Sequence, residues 1–240
     1  MGAPMKDFTN AIQFIGDNTG LLLGRAGSQL AFTVIAFAIA VVLALPLGVW
    51  LGHRHRGSFA AINISNVGRA LPSLAIIAML IAVIGIGDTP LVIALVLLAV
   101  PPMLTNAYVA IDTIDRDVVD AARGLGMTES EILRRVELPL GIPLLFAGVR
   151  TATIFIVATV PLGAIVGASG GLGDIIANQA SYHFEGVVGA AMCVAVLALL
   201  LDGALALVER LVTPTGVSEN LPSERKSVVA PGPLPGSLSL

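Results

Sequence analysis

The sequence predicts an all-α membrane protein, and three observations support that fold class. Hydrophobic residues make up 56% of the 240 residues and charged residues only 12%, whereas about a quarter of the residues in soluble domains are charged. The mean hydropathy is +0.93. The apolar residues form long runs that lack the two-residue alternation of membrane β-barrel strands. Lipid is therefore expected to surround most of the chain.

Five apolar runs are predicted to cross the membrane as helices. A membrane helix needs about 20 apolar residues to cross a hydrocarbon core ~30 Å thick. The fourth run contains one charged residue, Arg150, and the last run continues past Asp202. The five runs are residues 29–52, 70–87, 90–111, 138–166 and 186–208.

The distribution of basic residues predicts the orientation of these helices, because Lys and Arg are retained on the cytoplasmic side during insertion. Three stretches contain most of the basic residues, whereas the opposite side receives only Lys6 and Arg25. The three stretches are segments 53–69 and 112–137 and the C-terminal tail. Five crossings with the N-terminus outside the cell and the C-terminus in the cytoplasm satisfy this distribution.

Two connections then face outward, a tight turn at residues 87–90 and a loop at residues 167–185. Residues 167–173 of that loop are rich in glycine and lack the lysine that follows in a phosphate-binding loop. We interpret this stretch as a flexible turn that borders an external gate.

Both termini are predicted to lie outside the helical bundle. Residues 1–28 are expected to form an extracytoplasmic segment, with a short amphipathic helix at residues 8–15 on the outer membrane surface. No continuous apolar region typical of a cleavable signal peptide occurs in residues 1–24. Residues 213–240 are rich in Pro, Ser and Gly and are expected to be a disordered cytoplasmic tail. The transmembrane domain is accordingly predicted at residues 29–212.

Composition and motifs exclude several functions. A formal net charge of -3 gives no electrostatic footprint for nucleic acid. The single cysteine, Cys193, lies in an apolar run and cannot form an intrachain disulfide. His53 and His55 are flanked by arginines, and we interpret them as part of a solvated loop, so no metal ligand is assigned. The chain also lacks the Gly-x-x-x-x-Gly-Lys-Ser/Thr sequence that holds nucleotide phosphates.

The connection at residues 112–138 is predicted to contain two short helices set at an angle. Asp115 and Asp117 supply carboxylates at the start of the first helix, and Gly126 ends it. Its apolar positions recur at three- and four-residue steps. Thr128 and Glu131 have the spacing of a capping box, which predicts the start of the second helix. Those apolar positions are Ile114, Val118, Ala121, Ala122 and Leu125.

The small residues of the first helix predict a docking function. Ala121 and Ala122 lie at its middle, so another protein can approach it closely. Pro139 then opens the next membrane crossing. We interpret residues 112–139 as a mechanical handle held by a partner.

The same residues carry a family resemblance. Asp120-Ala121-Ala122 is followed after three residues by Gly126 and, nine residues later, by Val136, one residue and Leu138-Pro139. This pattern resembles the "EAA" loop of ABC importer permeases, which reads Glu-Ala-Ala, three residues, Gly, nine residues, Ile, one residue, Leu-Pro. All spacings agree, and the two departures, Asp for Glu and Val for Ile, preserve charge and shape.

Further segments resemble the permeases of osmoprotectant importers, and this similarity covers roughly residues 25 to 212. Those permeases import glycine betaine, carnitine, choline or proline betaine, and methionine, phosphonate and sulfonate importer permeases share parts of the pattern. The segments are Leu71-Pro72-Ser73-Leu74-Ala75, Pro101 to Tyr108, Gly124 to Thr128, Val136 to Pro139, Gly148 to Ala152 and Gly170 to Asp174.

The resemblance implies a type I importer in the bacterial cytoplasmic membrane. Two permease subunits, identical or related, form the pathway, each engages a cytoplasmic ATPase, and an extracytoplasmic substrate-binding protein delivers the solute. ATP and magnesium then belong to the partner ATPase, and this chain is a non-catalytic subunit without a cofactor of its own. The residues that the resemblance assigns to ATPase coupling are Asp120, Ala121, Ala122, Gly126, Leu138 and Pro139.

Polar and helix-disrupting residues within the apolar runs predict the lining of a translocation pathway. Pro101 and Pro102 fall inside a run and remove backbone donors, so a kink is expected there. An ionised Arg150 is costly in lipid, and it either faces the pathway or pairs structurally, for instance with Asp202. The candidate lining residues are Ser73, Pro101, Pro102, Asn106 and Arg150.

Three alternatives to an osmoprotectant permease remain open at this point. A permease for another small solute, such as methionine, shares parts of the pattern. An ion-coupled secondary transporter would carry intramembrane carboxylates or inverted repeats, whereas Asp202 stands alone in the predicted spans. An intramembrane enzyme would need a paired nucleophile and base, for which the sequence has no motif.

Overall fold

The computed structural model describes residues 3–55 and 72–213, and the regular structure in these two ranges is helical. The predicted all-α membrane fold is therefore confirmed. The elements are α1 (Ala3–Asp17), α2 (Thr19–His53), α3 (Ser73–Ile84), α4 (Asp88–Asp112), α5 (Arg116–Gly124), α6 (Glu129–Ile132), a π-helical turn (Leu133–Glu137), α7 (Leu138–Thr159), α8 (Leu162–Ile165), α9 (Gly173–Ala177) and α10 (Gln179–Val212).

Four helices in the described ranges are long and apolar enough to cross a membrane. They contain α2, α4, α7 and α10. The remaining predicted span, residues 70–87, is represented by α3, whose 12 residues extend only ~18 Å at ~1.5 Å per residue. Residues 70 and 71 of that span lie outside the described residues, so the count of five crossings stays a prediction.

The helix α2 begins at Thr19, not at residue 29 as predicted. The predicted span was limited to an uncharged apolar run, and the charge of Arg25 placed the start of that run after it. That charge forms an ion pair with Asp174 of α9, which allows the apolar helix to continue past it. The prediction that the N-terminal segment lies apart from the bundle was also wrong. In α1, Ala11 is completely buried, and Phe14 packs edge-on against Tyr182 of α10.

The helix α4 lies between α2 and α7, and small residues allow both neighbours to approach its backbone. A stripe of buried small residues runs along α2, spaced four apart. A Cβ atom added to Gly48 would lie 2.6 Å from the Leu104 carbonyl oxygen. On the other side, a Cβ atom added to Gly148 of α7 would lie 2.5 Å from the Asn106 Cβ atom. The stripe on α2 consists of Ala36, Ala40, Ala44, Gly48 and Gly52.

The turn between α3 and α4 lies at residues 85–87, slightly before the predicted 87–90. Gly85 has φ +102° and Gly87 has φ +150°. Residues other than glycine rarely adopt backbone conformations with such positive φ angles. Asp88 already belongs to α4, and its Oδ1 atom accepts a hydrogen bond from the Ser169 backbone N–H at 3.0 Å. The turn is thereby attached to the connection between α8 and α9.

The last two crossings also differ from their predicted bounds. The run at residues 138–166 is interrupted after Thr159, where Val160 and Pro161 separate α7 from α8. The run at residues 186–208 is extended at both ends, and α10 contains one residue with non-helical geometry, His183, at φ +55°.

The packing of Gly48 generates a stability prediction. Gly48→Ala is expected to lower the free energy of unfolding by about 1–3 kcal/mol, because the new methyl group must displace the α4 backbone. Gly24→Ala is the matched control in the same helix, since nothing lies within 4 Å of its added Cβ atom. It should leave stability unchanged or raise it by up to about 1 kcal/mol through helix propensity. Unfolding in detergent measures both, and equal stabilities would contradict the packing argument.

Candidate functional site

The end of the bundle that carries α5, called here the α5 end, contains the predicted coupling residues. Asp115 caps the start of helix α5, and its side chain accepts a hydrogen bond from the Asp117 backbone N–H at 2.9 Å. It ends in a Schellman motif, in which the Gly126 N–H donates to the Arg123 carbonyl and the Met127 N–H to the Ala122 carbonyl. Gly126 has φ +82°. Its role as the helix-ending glycine is thus a requirement of backbone geometry.

The second helix of the loop starts with the predicted capping box. The Thr128 backbone N–H donates to the Glu131 carboxylate at 3.0 Å, and the Thr128 hydroxyl donates to the same oxygen at 2.9 Å. These two hydrogen bonds lower the pKa of Glu131.

The prediction of two short helices was only half right. Helix α6 continues through the π-helical turn into α7 without a break. Leu138 is the first residue of α7, and Pro139 lies in its first turn, as predicted. The described backbone therefore runs as one continuous helical path from α6 into α7.

The apolar residues of α5 face in two directions, whereas the sequence suggested one face. Val119 and Ala122 are buried in a small cluster with Ile132. Val118 and Leu125 are exposed, Leu125 to 85% of its side chain. Ala121 is exposed as well. The inner residues fix α5 on the bundle, and the outer face presents small and apolar side chains to solvent.

Charged residues bridge α5 to α6. Arg123 donates to the Asp120 carboxylate at 2.9 Å within α5 and to Glu129 of α6 at 3.1 Å. The hydrogen bond and charge of Arg123 lower the pKa of Glu129, and in turn those of Glu129 raise the pKa of Arg123. Asp120, the acidic residue of the predicted coupling motif, thus belongs to a surface ion-pair network.

His53, the last residue of α2, joins this network. Its Nδ1 atom lies 2.6 Å from the Glu137 carboxylate and its Nε2 atom 3.6 Å from that of Glu129. His55 lies apart from the network, with its Nδ1 atom 2.8 Å from the Asp112 carboxylate. Both histidines therefore contact carboxylates, whereas the sequence predicted a solvated loop, and no group of residues suited to a metal ion occurs in the described residues.

The predicted pathway residues lie on three different helices, α3, α4 and α7. Ser73 is the first residue of α3 and half-buried, whereas Pro101 and Pro102 are buried inside the subunit in α4, which continues through both prolines. Asn106 donates to the Pro102 carbonyl oxygen at 2.8 Å. The side-chain amide of Asn106 thus forms a hydrogen bond within α4. The assignment of these residues to a pathway stays a prediction.

Arg150 forms the structural pair that was the alternative expectation for it. Its guanidinium group donates to both carboxylate oxygens of Asp202 at 2.7 and 2.8 Å, and it lies 3.5 Å from Glu209. At ~1.5 Å per residue, Arg150 lies about 18 Å from Leu138 in α7, and Asp202 about 15 Å from Val212 in α10. The pair therefore joins the two helices at similar depths.

The opposite end, called the α9 end, is organised around Gln29 of α2. Its side-chain amide donates to the Val157 carbonyl of α7 at 3.1 Å and accepts from the Leu172 backbone N–H at 3.2 Å. A Cβ atom on Gly171 would lie 2.8 Å from that of Gln29, and one on Gly173 would lie 2.3 Å from the Pro161 carbonyl oxygen. The glycine-rich stretch is therefore closely packed, and its interpretation as a flexible turn was wrong.

Sequence reasoning missed three of the residues that organise these two ends, namely Gln29, His53 and Glu137. Gln29 and Glu137 are completely or almost completely buried. A polar residue at the edge of an apolar run is a signal that it has a partner in the bundle, because an unpaired polar group is costly there. The identity of that partner is a tertiary contact and is not encoded by local spacing.

Comparison with known proteins identifies what the fold and loop resemble. A model of the family described as "Binding-protein-dependent transport system inner membrane component" matches residues 44–214. The glycine betaine/carnitine/choline transport system permease protein OpuCB of Bacillus subtilis is 39% identical, over 85% of this chain and 94% of the relative. The osmoprotectant import permease protein OsmY of Salmonella typhimurium is 37% identical, over 81% of this chain and 82% of the relative.

A solved structure agrees with the sequence comparison. The inward-facing MetNI methionine ABC transporter contains a chain that is 25% identical, with a TM-score of 0.67. The match covers 82% of this chain and 99% of that chain.

The ion pair between α7 and α10 generates a prediction about the energetic coupling of Arg150 and Asp202. Arg150→Met is expected to lower the unfolding midpoint by several degrees, because it leaves the Asp202 and Glu209 carboxylates without their cation. The double variant Arg150→Met/Asp202→Leu should be closer to the wild type than Arg150→Met alone. Thermal unfolding in detergent measures the series. Asp120→Asn, in an exposed pair, is the control and should change the midpoint little. Additive losses in the double variant would show that the two side chains are not coupled.

Proposed function

Because this chain belongs to the family of binding-protein-dependent transport system inner membrane components, we propose that it is the permease subunit of an ATP-driven importer of compatible solutes. It contributes the membrane pathway and performs no chemistry on the solute. The observation that carries the proposal is the construction of α5, which is held by buried residues on one side and presents small and apolar residues on the other. The direct continuation of α6 into α7 supports it.

The exposed face of α5 is the proposed contact with a separate cytoplasmic ATPase. Leu125, Val118 and Ala121 are exposed there, and small residues permit the close approach that a docking groove requires. Asp120 and Arg123 border this face with charges of both signs. ATP-driven movement of the ATPase would displace α5, and the continuous helix from α6 to α7 would carry the displacement into the membrane.

Two further partners follow from this role. An extracytoplasmic binding protein delivers the solute at the α9 end, and a second permease subunit, identical or related, completes the pathway. The N-terminus then lies outside and the α5 end faces the cytoplasm, in agreement with the distribution of Arg and Lys in the sequence.

Quaternary ammonium compounds are the proposed solutes. The relatives are named as permeases for glycine betaine, carnitine and choline, and their matches extend over most of this chain. Quaternary amines are bound tightly by cages of aromatic residues, whereas aromatic residues make up only 5% of this sequence. Selection among solutes therefore belongs chiefly to the binding protein, and the permease provides passage. A methionine permease is the second candidate, favoured by the structural likeness to a methionine transporter.

The positive φ angle of Gly126 generates a coupling prediction. Gly126→Val is expected to abolish ATP-dependent uptake, because a β-branched residue in the left-handed region costs at least about 1–2 kcal/mol and displaces the end of α5. Gly126→Asn is the matched control, since asparagine tolerates this conformation, and it should retain most of the uptake. Both variants are reconstituted in proteoliposomes with the ATPase and binding protein, and uptake of labelled glycine betaine is measured with and without ATP.

Two results would contradict this prediction or the proposal behind it. Equal uptake by Gly126→Val and Gly126→Asn would show that the conformation of Gly126 is not needed for coupling. Wild-type uptake that persists without the ATPase would exclude an ATP-driven importer and favour a secondary transporter.

The proposed solute class generates a competition prediction. In the same proteoliposomes, an excess of unlabelled choline, carnitine or glycine betaine should reduce uptake of labelled glycine betaine at least about tenfold, whereas methionine should not. The binding protein alone is titrated with each compound as a control, which separates selection by the binding protein from selection by the permease. Uptake of labelled methionine and none of glycine betaine would instead favour the second candidate.

A further inference from the structure

A buried carboxylate lies at the base of α7. Glu137 is the last residue of the π-helical turn, and its side chain is only 2% exposed. Burying a carboxylate costs several kcal/mol unless it is paired, and its partner is the His53 ring, with Nδ1 2.6 Å from the carboxylate. His53 is the last residue of α2. The contact therefore fastens the end of α2 to the point where the loop becomes a membrane helix.

The same histidine faces the loop with its other nitrogen atom. The Nε2 atom lies 3.6 Å from the Glu129 carboxylate, and Glu129 accepts hydrogen bonds from Arg123 of α5. Arg123 also binds Asp120. A continuous chain of polar side-chain contacts thus leads from the exposed face of α5 to α2, in addition to the covalent route from α6 to α7.

The π-helical turn gives this contact an unusual backbone setting. Residues Leu133–Glu137 have π geometry between two α-helical segments, and such turns occur frequently at functional sites. The turn lies between the capping box that starts α6 and the first residue of α7. Glu137 is thus held where rotation of α6 relative to α7 would change its distance from His53.

We propose that His53 and Glu137 are positioning residues that transmit the displacement of α5 to α2 during transport. The inference rests on the proposed function, since it presumes an ATPase that moves α5. It assigns a role to two residues outside the loop motif. The covalent route moves α7, and the His53–Glu137 contact makes α2 move with it, so that both neighbours of α4 respond together.

The test compares amide variants of two histidine–carboxylate pairs. His53→Gln and Glu137→Gln keep the approximate size of the side chains, and they remove the imidazole ring or the carboxylate that form the contact. The matched control is the pair of His55 with Asp112, at 2.8 Å, which lies at the same end and includes no residue of α5, α6 or α7. The control variant is His55→Gln, because His55 lies outside residues 112–139. Each variant is assembled with its ATPase and binding protein in proteoliposomes, and glycine betaine uptake and ATP hydrolysis are measured together.

The expected result is a loss of coupling. The amount of solute imported per ATP should fall at least about fivefold in His53→Gln and Glu137→Gln, the lower end of the range for coupling between sites. ATP hydrolysis and co-purification of the ATPase should persist in both variants, and the control variant His55→Gln should keep the wild-type ratio. His53, whose side chain is 15% exposed, tests the contact by itself if Glu137→Gln does not fold.

Two results would overturn the inference while leaving the proposed function intact. One is an unchanged import ratio in His53→Gln with wild-type transport. The other is a parallel loss of import, hydrolysis and bound ATPase, which indicates that the contact only supports folding or assembly. An absence of ATP-dependent uptake in the wild type would instead contradict the proposed function itself.

Discussion

The need to pair every polar side chain inside an apolar bundle determines how this chain is assembled. In the described residues, every buried side-chain nitrogen and oxygen atom has a hydrogen-bond partner. Three of the polar pairings in the bundle join residues that lie far apart in sequence: Gln29 with Val157 and Leu172, Arg150 with Asp202, and His53 with Glu137. Lipid offers no hydrogen bonds to a side chain that loses its partner. Each polar contact therefore fixes the relative depth of two helices, which apolar packing alone leaves free to slide.

Close packing by small residues makes this pairing possible. Gly48 and Gly148 bring α2 and α7 onto opposite sides of α4, and attraction between membrane helices depends on such close contacts, since burial from water does not favour one apolar neighbour over lipid. Because three helices are held at short distances, side chains from different helices contact one another at each end of the bundle. At the α9 end, the ion pair of Arg25 with Asp174 and the amide of Gln29 hold the glycine-rich stretch. At the α5 end, His53 and Glu137 hold the loop.

Sequence reasoning succeeded where structure is encoded locally and failed where it depends on distant partners. Composition gave the all-α membrane class, and capping chemistry located the end of α5 at Gly126 and the start of α6 at Thr128. The start of α2 was misplaced because Arg25 interrupts the apolar run, and only Asp174, far along the chain, makes that charge acceptable. The continuity of α6 with α7 was missed because Pro139 was interpreted as the start of a separate crossing, whereas the helix continues through the π-helical turn. The glycine-rich stretch was interpreted as flexible because glycine allows many backbone conformations. Glycine also permits close packing of the backbone against neighbouring atoms, and the sequence alone does not distinguish these two uses.

The two ends of the bundle differ in a way that suits alternating access. At the α9 end, the last part of the connection between α8 and α9 is closely packed, since Leu172 is buried and Gly171 lies against Gln29 of α2. At the α5 end, α5 is anchored by few buried residues, Val119, Ala122 and Ile132, and its outer face is open to a partner. A small anchoring cluster lowers the free energy needed to displace a helix. Under the proposed function, the polar links from α5 to α6 and α2 would convey such a displacement into the membrane helices. A weakly anchored element that is strongly linked to long helices is therefore suited to couple an external motor to a pathway.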